Sequence, residues 1–206
     1  ASEGARVYLH KSDKANRKLP HGWMLVEADF GWKGPQLVGI DTSLPNRLVA
    51  EALEAGAVPE LAGYTSVRRE VRYGERSRVD FVLGAMDRPD CYLEVKNVHL
   101  MRKPGVAEFP DSVTARGARH LADLAAMAQA GMRAIMLFVI QMDADCFTLA
   151  HDIDPSYARA FALARRQGVE ALAHVCTVTE REIRIAQAVP ILADLTQAAT
   201  DATSDP

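Results

Sequence analysis

The chain has 206 residues, 49% of them hydrophobic and 25% charged, with a formal net charge of −3. That suffices for one good-sized domain, or a domain with a small companion, and argues against a protein built to coat nucleic acid. No apolar run approaches the roughly 20 residues of a membrane span, and no basic-then-apolar leader opens the chain, which predicts a cytoplasmic location.

Charge is unevenly spread. Residues 1–120 hold 18 Lys+Arg and 16 Asp+Glu, whereas residues 121–206 hold 6 and 11. A phosphate-bearing partner is therefore permitted for the first part of the chain. Cys91, Cys146 and Cys176 are odd in number and far apart; they form no CxxC pair or zinc spacing and read as reduced thiols filling a core.

Residues 1–40 are predicted to form a small β-rich unit, with strands at Arg6–His10, Trp23–Ala28 and Gln36–Ile40. Two or three strands cannot close a core alone, so this unit leans on its neighbour or lacks its beginning. A basic loop, Lys11 to Lys18, joins the first two strands. A second unit spans residues 41–193. It opens with a helix capped by Asn46 after Pro45, with Leu48, Val49, Ala52 and Leu53 as its buried stripe. A strand over Val67–Tyr73 carries Arg68, Arg69 and Arg72. Two more, Arg78–Leu83 and Cys91–Lys96, flank the turn-forming stretch Gly84–Asp90.

A long helix capped by Asp111 or Ser112 follows and ends at Gly131. The continuously apolar run Ala134–Gln141 predicts a central strand covered on both faces. Asp154-Pro155 opens a further helix, followed by strands at Val169–Val178 and Glu182–Ala186. Residues 194–206 form a small, polar tail. The order predicts a mixed sheet with helices on its faces.

The chemistry concentrates in the hairpin. If it folds symmetrically about Asp87, Asp80 lies opposite Glu94, and Glu94 shares its face with Lys96. Two facing carboxylates repel, so the fold needs a cation there, a shared proton or another register. Asp80, Glu94 and the main-chain carbonyl of Val95 are hard oxygen donors suited to Mg²⁺ or Mn²⁺, and Lys96 is placed to orient a water or neutralise developing charge. Glu51 reads either as a third acid or as a solvated helix residue. Arg116 and His120 stand one helical turn apart, facing a phosphate or forming an ordinary helix rim. Gln141 ends its strand where a polar side chain can look into a site or simply close the strand. The loop carrying Arg17 and Lys18, and the cluster Arg68, Arg69, Arg72, Arg76 and Arg78, suit backbone phosphates or a solvated surface.

Several segments together carry a resemblance: Ser77-Arg78-Val79-Asp80-Phe81, Glu94-Val95-Lys96-Asn97-Val98, Phe109 to Gly117 and His120-Leu121, with Arg17-Lys18-Leu19-Pro20, Leu44 to Val49 and Ile153-Asp154-Pro155. In this order they resemble the bacterial sugar fermentation stimulation protein family. The resemblance implies an OB-like β-barrel, here without its opening strands, followed by a restriction-endonuclease-like PD-(D/E)xK core. It also implies sequence-nonspecific DNA binding and a regulatory role in sugar (maltose) metabolism. Carried over by position, the motif's acids fall at Asp80 and Glu94, its lysine at Lys96 and its helix acid at Glu51, while Val79 stands where the motif has proline. Two functions stay open: a DNA-binding regulator keeping a nuclease-type metal site, and an active metal-dependent phosphodiesterase. A small-molecule or protein-interaction module is a third.

Overall fold

The computed structural model describes residues 3–11, 18–74 and 77–192. Its centre is a six-stranded mixed sheet with strand order β12-β11-β9-β6-β5-β4. The strands are β4 (Ser66–Tyr73), β5 (Ser77–Gly84), β6 (Cys91–Val98), β9 (Arg133–Ile140), β11 (Glu170–Val178) and β12 (Ile183–Ala188). β6, β9 and β11 run parallel, and the outer pairings are antiparallel. The predicted central strand is central: every residue of β9 after Arg133 is buried, as its unbroken apolar run requires of a strand sandwiched between two helical layers.

Helix α1 (Pro45–Glu54) covers one face, and α2 (Ala115–Gln129) and α3 (Pro155–Arg166) cover the other. Leu48, Val49 and Ala52 of α1 pack on Phe81, Leu93 and Leu137. Leu121 and Leu124 of α2 and Tyr157 and Phe161 of α3 pack on Val82, Met136 and Phe138. Alternation along the strands separates the two sets.

The caps differ from expectation in one consequential way. α1 begins at Pro45 with Leu44 before it, so Asn46 lies inside the first turn and its side chain is free for other work. Helix α2 is capped by Thr114, whose hydroxyl accepts from the Gly117 amide at 3.0 Å, instead of by Asp111 or Ser112. Asp154 caps α3 through the Ser156 and Tyr157 amides and also accepts from the Thr114 amide at 2.7 Å. One buried carboxylate thus ties together the starts of both helices on that face. Gly117 makes the approach possible, because a Cβ there would sit 3.0 Å from the Tyr157 ring.

Three short strands were not anticipated: β7 (Leu100–Lys103), β8 (Val106–Phe109) and β10 (Cys146–Leu149), which form a separate sheet. Each is four residues long, and Arg102, Lys103 and Glu108 interrupt the apolar pattern that would have marked β7 and β8. The N-terminal strands fall where predicted, as β1 (Val7–Lys11), β2 (His21–Ala28) and β3 (Gln36–Gly39), in a three-stranded antiparallel sheet. This sheet shares the main core: Val26 and Val38 belong to the same buried cluster as Phe138. Gly39 abuts Gln141, where an added Cβ would lie 2.4 Å from the amide oxygen. Among the described residues, no helix is long and apolar enough to cross a membrane.

Candidate functional site

The hairpin pairs Phe81 with Leu93, Val82 with Tyr92 and Leu83 with Cys91, a register symmetric about Asp87. Continued by one pair, it sets Asp80 opposite Glu94, as the sequence predicts. The regular pairing stops there. The Val95 amide donates to Asp80 Oδ2 at 2.7 Å, so a side chain takes over the ladder. Alternation also breaks at this point: Phe81 packs beneath α1, whereas Val79 and Val82 both pack on the α2 face. Asp80 therefore turns at the point where the strand changes phase. Its other oxygen, Oδ1, accepts from Asn46 Nδ2 at 2.7 Å.

Glu94 is 2% exposed. Its Oε1 accepts from Lys96 Nζ at 2.7 Å and from Nδ1 of His120. Arg116 Nε donates to His120 Nε2 at 3.2 Å. A guanidinium nitrogen can only donate, so Nε2 is the accepting nitrogen of a neutral ring and Nδ1 carries the proton given to Glu94. Glu94 Oε2, by contrast, has no hydrogen-bond partner among the described residues. Burial alone would raise the Glu94 carboxyl, but the hydrogen bond from His120, together with the charge and hydrogen bond of Lys96, outweighs it and holds the group below its ordinary range. Asp80 is pushed the other way by burial and by the Glu94 charge, against the opposing pull of the Val95 amide, Asn46 and Lys96. The facing acids thus coexist by separating their proton affinities, with a lysine alongside.

These groups line a cavity of about 300 Å³ together with Thr42, Ser43, Glu70, Arg78 and Asn97. Asp80, Glu94, Val95, Lys96, Arg78, Arg116 and His120 are all brought to it. Glu51 is not. It is exposed, does not line the cavity, and pairs with Arg47 at 2.9 Å along its own helix. The polar residue that α1 contributes is Asn46, about 140° from Glu51 around the helix axis at 100° per residue. Lys18 is exposed and away from the cavity lining, and Arg17 lies outside the described residues, as does Arg76. Gln141 is fully buried and donates to Asn97 Oδ1 at 2.6 Å; it supports a cavity residue without reaching the cavity.

Two carboxylates plus water match what Mg²⁺ or Mn²⁺ asks of a protein, and the unpartnered Glu94 Oε2 supplies a vacant hard-oxygen lone pair beside Asp80. The residues present therefore fit such an ion. Among the described residues, no three His, Cys, Asp or Glu side chains already converge as a ready-made cage. A larger cavity of about 680 Å³ lies between α3, β11 and Val189 to Leu192. It is lined mostly by apolar groups and by none of the residues above.

Comparison with known proteins converges on one family. The family model described as "Sugar fermentation stimulation protein RE domain" matches residues 43–182. A sugar fermentation stimulation protein homolog from Azorhizobium caulinodans is 56% identical over 190 residues, covering 92% of this chain and 80% of the relative. One from Ruegeria pomeroyi is 52% identical, covering 90% and 80%. The solved structure of Pyrococcus furiosus SfsA in complex with Ca²⁺ superposes with a TM-score of 0.80 at 26% identity, over 91% of this chain and 78% of that one. The mixed α/β core and β-rich N-terminal part are thus those of a known structure. The chain belongs to the sugar fermentation stimulation protein family.

Proposed function

We propose that the protein binds the phosphodiester backbone of DNA without sequence preference and holds a divalent cation between Asp80 and Glu94. The observation that carries this reading is the buried Glu94: one oxygen is fixed by Lys96 and His120, and the other is unpartnered beside a second acid. A carboxylate so buried and half-satisfied is costly as pure structure. The related archaeal protein was solved with Ca²⁺, another hard cation that prefers oxygen ligands.

Arg78, Lys96 and Arg116 around the cavity supply positive charge for phosphate oxygens. Arg72 and Arg78 are direct cross-strand partners, both exposed. Like charges so placed repel, and a phosphate between them relieves the repulsion. Such contacts position a backbone without reading bases. The family's name, which speaks of stimulating sugar fermentation, supports reading this binding as regulatory in sugar metabolism, and the resemblance suggests maltose as the sugar.

A second reading, hydrolysis of the bound phosphodiester, is favoured by Lys96, whose side chain is 16% exposed at the cavity and tethered to Glu94. A bound Mg²⁺ or Mn²⁺ would polarise a phosphoryl oxygen and lower the pKa of a water. Lys96 would orient that water or neutralise charge on the phosphoryl group, and Arg116, through His120, fixes the Glu94 carboxylate.

Fluorescence anisotropy with unrelated labelled duplexes tests the first reading. Affinity should be similar across sequences and fall linearly in log–log form with salt, and Arg78→Ala should make the slope shallower by about 1. Absent or salt-independent binding would sink it. Incubating supercoiled plasmid with Mn²⁺ separates the two readings: nicking abolished by both Asp80→Ala and Lys96→Ala supports hydrolysis, and intact plasmid across divalent metals leaves binding alone.

A further inference from the structure

Glu70 has a backbone φ of +53°, the left-handed region that residues other than glycine, asparagine and aspartate rarely enter. It sits in the middle of the edge strand β4. Its neighbours pair normally with β5, Arg69 with Phe81 and Val71 with Val79, which brackets Glu70 opposite Asp80. The turn at Glu70 reverses which face β4 presents. Arg69 lies over the Phe81 ring at 5.4 Å on the α1 side, whereas Val71 packs into the cluster on the α2 side. Ordinary alternation would put residues 69 and 71 on one face. β5 makes the same change of phase across Asp80, between Val79 and Phe81. Two adjacent strands thus kink together at the Glu70–Asp80 pair.

Three acids consequently stand in one row across three neighbouring strands, with Asp80 in the middle, Glu94 on one side and Glu70 on the other. Adjacent strands are about 4.8 Å apart, so each outer acid is one strand from Asp80. All three line the same cavity. Glu94, buried with Oε2 unpartnered, independently marks the cavity as built for a ligand that accepts oxygen donors. We propose that Glu70 is the third carboxylate of this site and a ligand to its divalent cation, the acid that the first helix does not supply. The proposal rests on the metal-site reading above.

Glu70 is exposed, and its three side-chain torsions allow it to swing toward Asp80 without moving the backbone. A glycine would adopt the same φ at no steric cost. The strain is accepted at a position where the side chain has a use, a pattern seen at ligand-holding positions. A third carboxylate also balances Arg78, Lys96 and Arg116 around the cavity, leaving the cation and a phosphate to enter together.

Equilibrium binding of Mn²⁺, read from the electron paramagnetic resonance of the free ion, tests the assignment with wild type, Asp80→Asn, Glu70→Gln and Glu70→Gly. Wild type should bind, Asp80→Asn should lose binding, and both Glu70 variants should bind about tenfold more weakly or worse. Glu70→Gly should in addition melt at a higher temperature than Glu70→Gln, because it relieves the left-handed strain while lacking the same carboxylate. Glu70 variants that bind Mn²⁺ as tightly as wild type, while Asp80→Asn does not, overturn the role of Glu70 and leave the Asp80–Glu94 site standing. A wild-type protein that binds no Mn²⁺ overturns both.

Discussion

Two buried glutamates on neighbouring parts of the molecule have opposite characters. Glu108, 5% exposed on β8, has both oxygens occupied. Oε1 accepts from Arg102 Nη2 at 2.8 Å, and Oε2 accepts from the Arg102 amide and Nε. The same guanidinium reaches on to Asp152 at 2.8 Å, so the short sheet is fastened to the segment before α3. Glu94 is buried at least as deeply, yet one of its oxygens has no partner among the described residues. A buried acid that completes its hydrogen bonds with its own chain is a fastener. One that leaves a buried oxygen unpaired beside a cavity calls for a different explanation, which the proposed cation supplies.

The contrast breaks most visibly if each acid is removed. Glu94→Ala strips Lys96 and His120 of their shared partner in a buried setting and should lower the unfolding free energy by about 3 kcal/mol, together with the loss of Mn²⁺ binding. Urea denaturation and a metal titration on the same preparation check both halves. Glu108→Ala should cost about 2 kcal/mol and leave Mn²⁺ affinity untouched. If the Glu108 variant loses metal as well, the distinction between the two carboxylates is wrong.

A smaller effect sharpens the comparison through pH. Glu94 is held below its ordinary 4.5, so it contributes stability that is present above that value and lost as pH falls through its lowered folded value. Asp80 is raised above 3.8 and has the opposite sign: its charged form costs stability at neutral pH, and that cost fades as pH falls toward 3.8. In wild type the two partly cancel. The stability difference between wild type and Glu94→Gln should therefore shrink between pH 7 and pH 3 in urea melts. A constant difference would mean that Glu94 has no depressed pKa.

The hairpin register was legible because a turn-rich loop and alternating strands leave little choice of pairing, and β9 because seven buried apolar residues in a row have few other uses. The acid of the first helix was misplaced for a local reason. Glu51 was carried over by resemblance, but it stands about 140° around α1 from Asn46, the residue whose side chain reaches Asp80, so it pairs with Arg47 on the exposed side. Glu70 carried no signal at all, because nothing in Arg69-Glu70-Val71 announces a left-handed residue. The β7–β8 hairpin was hidden for the reason that makes it stable: Arg102 and Glu108, which break its apolar pattern, are the pair that holds it.

The contact between Gly39 and Gln141 bears on how this protein can be taken apart. The Gly39 amide donates to the Gln141 carbonyl at 2.8 Å, and Gln141 in turn donates to Asn97, immediately after Lys96. The N-terminal sheet is thereby soldered to the end of the central strand and, through Asn97, to the neighbour of the cavity's lysine. This three-stranded sheet shares its core and a backbone hydrogen bond with the rest of the fold, so it is not a detachable cassette. A chimaera that grafts a foreign β-unit onto this core inherits a requirement for glycine at the seam, and a bulkier residue there would push on Gln141 and tilt the floor on which Lys96 stands.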